Sequence, residues 1–396
     1  MPHRIIVLGA GYSGAIAAGR LARRLHREDA AITLVNAEPD FVERVRLHQL
    51  AVGQQLTPRP LGEMFAGTGV ELRLAKVTGV DVDRRTVAVV DASGADELAY
   101  DTLVYALGSG WNTQGVAGSA EHAYEIASRP GALRLRDRLA RLDAGQSVLV
   151  VGGGLTGLEA ATEIAEARPD LDVALAARGD LGDWLSPRGR RHLRKVFGRL
   201  GITVHERTAV TGVEADRAAT ADGGTIPAAA TVWTTGFAVH PIAEKTALTV
   251  TGTGQIVVDA TMRSVSHPEV YAIGDAAFAM GRGDKPLRMS CASGVPMAWQ
   301  AADAIAARLT GGKLPNASLR YLNQCISLGR REGLIQYVTA DDRAVPAVLT
   351  GRFAAGYKEL ICKGAAWGVA NPTLGLPTRH RRVTPDRATT GSAVWG

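Results

Sequence analysis

The sequence predicts an α/β fold built around two successive βαβ units, and three observations predict it. First, an apolar run over residues 4–9 ends in Gly9-Ala10-Gly11-Tyr12-Ser13-Gly14. An Ala/Leu/Arg helical pattern follows to about Arg27, and a second apolar run, Ala31–Val35, comes next. This reads as strand, tight turn, helix, strand. Second, the same grammar returns at Val148–Val151 and continues through Gly152-Gly153-Gly154-Leu155-Thr156-Gly157. A helical stretch to about Ala167 and a strand over Leu171–Ala176 complete it. Third, 396 residues with 46% hydrophobic and 21% charged content suffice for two or three domains with real cores.

Each glycine of a G-x-G-x-x-G turn has its own physical task. The first makes the tight turn, the second lets a pyrophosphate approach the backbone, and the third lets helix and strand pack closely. The following helix then faces the phosphates with its positive end. Two such turns, each leaving a strand and opening a helix, predict two Rossmann-like dinucleotide-binding domains. Gly9, Gly11 and Gly14 serve the first, and Gly152, Gly154 and Gly157 the second. Such a unit usually ends its second strand on an acid that binds a ribose hydroxyl. Asn36 holds that place in the first unit, with Glu38 two residues on, and an amide can still hydrogen-bond a hydroxyl. In the second unit the stretch is Ala176-Ala177-Arg178-Gly179, so an acid is missing and a guanidinium stands beside its place. That suits the 2′-phosphate of NADP; the alternative is a solvated arginine at a strand end.

The rest of the chain reads more coarsely. Thr86–Val90 and Leu103–Ala106 suggest antiparallel strands, and Ile202–Val204 and Ala230–Thr234 further strands. From about Ser318 the pattern changes to two strands, Leu319–Ser327 and Gly333–Val338, joined by a turn over residues 329–332. An amphipathic helix, Phe353–Trp367, and a Thr/Pro/Arg-rich tail follow. The tail's composition predicts flexibility.

Charge and cysteine content exclude several classes. A formal net charge of +6 is modest for this length, and no compact Lys/Arg block or nucleic-acid motif supports DNA or RNA binding. Cys291, Cys325 and Cys362 form no CxxC pair, so the spacing offers neither a metal site nor a local redox disulfide. That suits a reducing cytoplasm. Ile5–Leu8 is too short for a signal-peptide core, and no apolar run is long enough to span a bilayer.

At this point the order of motifs resembles the two-dinucleotide-binding-domain flavoproteins, and most closely the type II NADH dehydrogenases, over about residues 4–340. Residues 100–108, Tyr100-Asp101-Thr102-Leu103-Val104-Tyr105-Ala106-Leu107-Gly108, resemble the strand returning to FAD. Gly152–Glu159 resembles the NAD(P) fingerprint and Thr234-Thr235-Gly236 the second returning strand. Val270-Tyr271-Ala272-Ile273-Gly274-Asp275 is the most specific match, because the family ends this strand on Gly-Asp and binds the ribityl chain with the carboxylate. The resemblance implies a discontinuous FAD domain, 1–115 and 253–315, and an NAD(P)H domain, 116–252. A C-terminal α+β interface segment, 316–377, and a tail, 378–396, complete the chain. On the matching positions FAD would meet Gly9, Gly11, Tyr12, Ser13, Gly14, Asn36, Arg44, Val77, Gly108, Gly274, Asp275, Pro296 and Met297. NAD(P)H would meet Gly152, Gly154, Thr156, Gly157, Arg178, Thr235 and Gly236, with Glu159 as the candidate catalytic residue near the nicotinamide.

Bland readings stand beside several of these. Asp275 could cap the next helix, Glu159 could answer a helix dipole, and Arg44 could form a surface ion pair. His48 reads as a packing or hydrogen-bonding histidine, and Cys291 as buried and inert. Ser293 or Gly294 could open the following helix, with Pro296 near its first turn. In the family that helix points its N-terminus at the flavin, and type II NADH dehydrogenases carry Ala-Gln-x-Ala-x-Gln there. This chain has Val295-Pro296-Met297-Ala298-Trp299-Gln300, which keeps Ala298 and Gln300 and departs at Pro296.

The resemblance implies hydride transfer from NAD(P)H to flavin N5, with electrons passing on to a quinone or quinone-like aromatic. No dithiol stands near Arg44–Gln49, which argues against a disulfide reductase. Alternatives are an NADPH-dependent reductase of a ferredoxin-type carrier and a flavin-bound binding module similar to apoptosis-inducing factor. On the C-terminal helix, Phe353, Tyr357, Leu360, Ile361 and Gly364 share a spacing, flanked by Lys358 and Lys363. One short face predicts a soluble cytoplasmic protein with weak membrane contact at most, and allows a homodimer.

Overall fold

The computed structural model describes residues 1–316, 318–374 and 380–384. In chain order, the elements that position the sites are β1 (His3–Leu8), α1 (Tyr12–Arg24), β2 (Ala30–Asn36), β3 (Val70–Leu74) and β4 (Thr102–Tyr105). There follow β5 (Ala123–Glu125), α2 (Arg129–Leu139), β6 (Ser147–Val151), α3 (Leu155–Ala167), β7 (Asp172–Ala176), α4 (Pro187–Arg199), β8 (Thr203–His205) and β9 (Ala230–Trp233). The last are β10 (Val270–Ala272), α5 (Cys291–Thr310), β11 (Asn323–Ser327), β12 (Gly333–Val338), β13 (Ala344–Thr350) and α6 (Arg352–Ala370).

Two five-stranded parallel sheets organise these elements. The first runs β10-β4-β1-β2-β3 and the second β8-β7-β6-β9-β5. In each, the strand before the glycine turn is central, and the chain departs to one side and later returns on the other. That makes a crevice at the carboxyl ends of β1 and β6, where doubly wound sheets bind ligands. Ile5, Ile6, Val7 and Leu8 are all buried, as are Val148–Val151. Both faces of a parallel sheet are covered, so such strands read as continuous apolar runs rather than alternating ones.

The same fact corrects Leu103–Ala106. It forms β4, which pairs parallel with both β1 and β10, and every one of its residues is buried. The antiparallel expectation holds for Thr86–Asp91, which pairs with Lys76–Asp81 and Gly94–Ala99.

Helix α5 packs beside α1, where Asp303 bonds both Arg20 (2.7 Å) and Arg24 (2.9 Å). It begins at Cys291, earlier than expected, because the amides of Ser293 and Gly294 already donate to the Ser290 carbonyl. Pro296 therefore lies inside the helix rather than in its first turn, and lacking an N–H it leaves the Ala292 carbonyl without its helical donor.

The C-terminal segment is a three-stranded antiparallel sheet, β11-β12-β13, with α6 against it. The third strand and helices α2 and α4 were not expected from the pattern. Buried Gln336 ties this sheet to the second domain by accepting from the Ser186 amide at 2.9 Å. On α6, Ala354, Cys362, Ala366 and Val369 face inward while Phe353, Leu360, Ile361 and Trp367 are exposed. Tyr357 is turned inward to bond Asn323. Lys358 likewise points into the protein and does not flank an exposed apolar face.

The tail also departs from expectation. Residues 380–384 run along the end of α1: the Arg381 amide donates to the Arg24 carbonyl (2.9 Å), and Arg382 pairs with Glu28 (2.9 Å). The remainder of the expected flexible tail lies outside the described residues. Among the described residues no helix is long and apolar enough to cross a membrane.

Candidate active site

The two glycine turns are near copies in physical terms. A Cβ on Gly14 would stand 1.8 Å from the Gly9 carbonyl oxygen, and one on Gly157 would stand 1.9 Å from that of Gly152. Gly9 and Gly152 adopt φ of +93° and +128°, and a Cβ on either would strike the returning strand, at Ala106 or Thr234. At Gly11 and Gly154 a Cβ would meet nothing within 4 Å. So the first and third glycines let the chain close on itself, and the second leaves its backbone open at the head of a helix. This is the cradle a pyrophosphate requires, and both turns fit such a group.

Around the first cradle the predicted residues meet. Asn36 accepts from the Ala10 amide (2.9 Å) and donates to the Glu38 carbonyl (2.7 Å), so its side chain fastens the turn to the end of β2. Ser13 lies under Gly274 and Gly294, whose would-be Cβ atoms fall 2.8 and 2.4 Å from its hydroxyl. The starts of α1 and α5 and the Gly274 turn thus close on one point. Asp275 accepts from the Ser109 hydroxyl at 2.6 Å and lies 3.7 Å from the Arg44 guanidinium. It sits in a single 3₁₀ turn, Gly274–Ala276, with no helix starting before Cys291, which removes the helix-cap reading. Arg44 also passes Gly108 (3.6 Å from its would-be Cβ) and stacks over Phe237 at 5.8 Å.

Other predicted residues are placed differently. Met297 is 1% exposed within the core, and Val77 is buried opposite Val89 in the antiparallel sheet. Tyr12 packs edge-on against Phe41 with ring centroids 4.9 Å apart, and burial pushes its phenol far above the usual range. Pro296 is half-buried on α5.

At the second cradle, the Thr234 hydroxyl donates to the Val151 carbonyl (2.8 Å), locking the returning strand to β6. The Thr235 carbonyl accepts from Gln114 (3.0 Å), and Gly236 takes φ +81°. The Thr235 hydroxyl is buried without a partner among the described residues. Thr156 stands half-buried on the first turn of α3, and Arg178 is exposed two residues beyond β7.

Glu159 is not a first-turn dipole partner. It is the fifth residue of α3, buried, and accepts from the Lys358 ammonium (2.9 Å) and the Ser327 amide (3.0 Å). Burial alone would raise its carboxyl, but Lys358 and the Ser327 amide outweigh it and hold the group below the usual range. Burial would likewise lower Lys358, and Glu159 reverses the sign. His48 is buried beside them; burial pushes it down to about 4 against the pull of Glu159, so it is neutral. Nothing in the sequence spacing links Glu159 to Lys358, which are 199 residues apart in number. Cys291, Cys325 and Cys362 are all pushed up by burial, Cys325 to about 11, and are protonated thiols near neutrality.

Residues 3–306 match the model of the pyridine nucleotide-disulphide oxidoreductase family, and the chain belongs to that family. It is an oxidoreductase, and its cofactors are FAD and NAD(P)H. It is 29% identical to an NADH dehydrogenase-like protein of Mycobacterium tuberculosis, over 74% of this chain and 78% of that one. It is 26% identical to demethylphylloquinone reductase NdbB of Synechocystis, over 82% and 84% respectively. Its fold is similar to that of NDH2 from Plasmodium falciparum, with a TM-score of 0.78, 15% identity, and coverage of 94% of this chain and 97% of that one.

Two stability measurements check this geometry. Gly14→Ala or Gly157→Ala drives a methyl into a backbone carbonyl and should cost at least about 1–3 kcal/mol. Gly198→Ala, in α4 with open space around it, should be neutral or slightly stabilising; urea midpoints give the comparison. Glu159→Ala leaves a buried ammonium unpaired and should cost about 3–5 kcal/mol. The double variant Glu159→Ala/Lys358→Met should recover most of that loss.

Proposed function

We propose that the chain transfers electrons from NAD(P)H through FAD to a quinone or quinone-like aromatic acceptor, with FAD at the Gly9–Gly14 cradle and NAD(P)H at Gly152–Gly157. The observation that carries this reading is the pair of open glycine cradles on two parallel sheets of one chain, the first backed by Asp275 and Arg44. The quinone-type relatives favour the acceptor class. In this reading the domains divide at 1–115 with 253–315, 116–252 and 316–377, and the protein is cytoplasmic.

Bound flavin supplies the two-electron exchange between nicotinamide and acceptor; the chain supplies position and charge. Gly11 and Gly154 present open backbone at helix starts to the two pyrophosphates. Asp275, oriented by Ser109, accepts from the ribityl hydroxyls, and Arg44 neutralises nearby phosphate. Arg178, at the strand end where an acid would select NADH, receives the 2′-phosphate of NADPH. The overall change is NAD(P)H + H⁺ + quinone → NAD(P)⁺ + quinol, so each turnover draws one proton from solvent. Lys358, held charged by Glu159 where the C-terminal segment meets α3, donates a proton to the acceptor oxygen.

Asp275→Ala should lose most of its FAD during purification, since a half-buried hydrogen-bonding partner is removed; full occupancy by absorbance would remove Asp275 from the site. Stopped-flow reduction should favour NADPH over NADH, and Arg178→Ala should erase the preference. A faster reaction with NADH, unchanged in that variant, would contradict the assignment.

A further inference from the structure

Helix α3 carries three carboxylates at i, i+4 and i+7: Glu159, Glu163 and Glu166. That spacing lines them along one helical face. Glu159 and Glu163 are buried and Glu166 is exposed, so the row runs from the Lys358 pair out to solvent.

Glu163 has no part in holding either cradle, and among the described residues it forms no close ion pair. One of its oxygens accepts from Gln54, and the other, Oε2, is buried without a hydrogen-bond partner among the described residues. His48 Nε2, next to Glu159, is likewise buried and unpartnered. Each orphaned polar atom leaves a hydrogen-bonding position that a buried water can take up. At the outer end Glu166 accepts from the Arg330 amide in the turn between β11 and β12, and half-buried Gln54 leads to exposed Gly53 and Gln55.

We propose that Glu163 is a positioning and relay residue that carries the solvent proton of each turnover from the Glu166 end of α3 to the Glu159–Lys358 pair. The inference rests on the quinone reading above. When Lys358 Nζ gives a proton to the acceptor oxygen, a neutral amine remains beside the Glu159 carboxylate. The Glu163 carboxyl returns a proton to that amine through an intervening water, and solvent reprotonates Glu163 past Gln54. No other bond is made or broken.

The groups facing this row support the direction of travel. Burial pushes Glu163 up to about 7, against the pull of Gln54 and Arg330 and with added repulsion from Glu166 and Glu159. Lys358 from α6 and neutral His48 complete the inner end. The thiols of Cys291, Cys325 and Cys362 stay protonated there. Glu163 can therefore hold a proton and release it near neutrality, which a relay needs. Its donor form is lost as pH rises through about 7, so quinone turnover should fall across that interval.

The test uses the FAD-loaded enzyme with NAD(P)H and two acceptors, a short-chain water-soluble quinone and ferricyanide, which takes up no proton. Glu163→Gln should lower quinone kcat about tenfold or more, abolish the inflection near 7, and leave the ferricyanide rate within about twofold. Glu163→Asp should restore the inflection, and the solvent deuterium effect on quinone turnover should be larger in wild type than with ferricyanide. An unchanged quinone rate and pH profile in Glu163→Gln would overturn the relay. So would equal losses with both acceptors, which mark a structural role. A wild type that reduces ferricyanide but no quinone overturns the functional reading and the relay with it.

Discussion

Much of this molecule depends on one close approach made twice: the first turn of a helix lying against the carbonyl of the glycine that follows the preceding strand. A methyl at Gly14 or Gly157 would overlap that oxygen, and only glycine at both ends lets the helix start so near the sheet. The approach aims the helix N-terminus along the crevice and leaves Gly11 and Gly154 uncovered. In the first unit it also sets Ser13 where Gly274 and Gly294 must close over it. Asp275 then reaches Ser109 and Arg44.

The second constraint is the buried pair of Glu159 and Lys358. A buried ion pair adds little net stability, because desolvation offsets most of the attraction, but losing one partner is costly. The pair therefore fixes how α6 sits on α3 more than it strengthens the fold. Its other contacts, the Ser327 amide on Glu159 and the Cys325 carbonyl accepting from Lys358 at 3.1 Å, bring β11 into the same junction. A charged, partly dry corner beside the nucleotide domain results, and the neutral His48 and Glu163 extend it.

The two parallel units were legible because glycine turns act locally: the residue types at three positions fix the backbone without help from elsewhere. The strand-Gly-Asp turn that carries Asp275 was legible as a local motif. Ser109 was not singled out, although it follows Gly108 at the end of a returning strand, because a serine there carries no pattern of its own. The direction of Leu103–Ala106 was misread because a four-residue apolar run does not encode whether its neighbours are parallel. Lys358 was misread for a similar reason. Helix α6 is apolar on both sides, so periodicity alone does not set its phase, and the deciding partner, Glu159, lies in another domain. Pro296 misled because its favoured place is the first helical turn, whereas the Ser293 and Gly294 amides, bonding the Ser290 carbonyl, start α5 earlier.

The most direct test of the account is an anaerobic titration of the purified protein with NADPH, followed at the visible flavin bands. The account predicts a yellow protein bleached by about one equivalent of reductant per FAD, with the colour restored by one equivalent of quinone. A protein that neither retains nor takes up FAD, or whose bound flavin stays oxidised in excess NADPH and NADH, would contradict it.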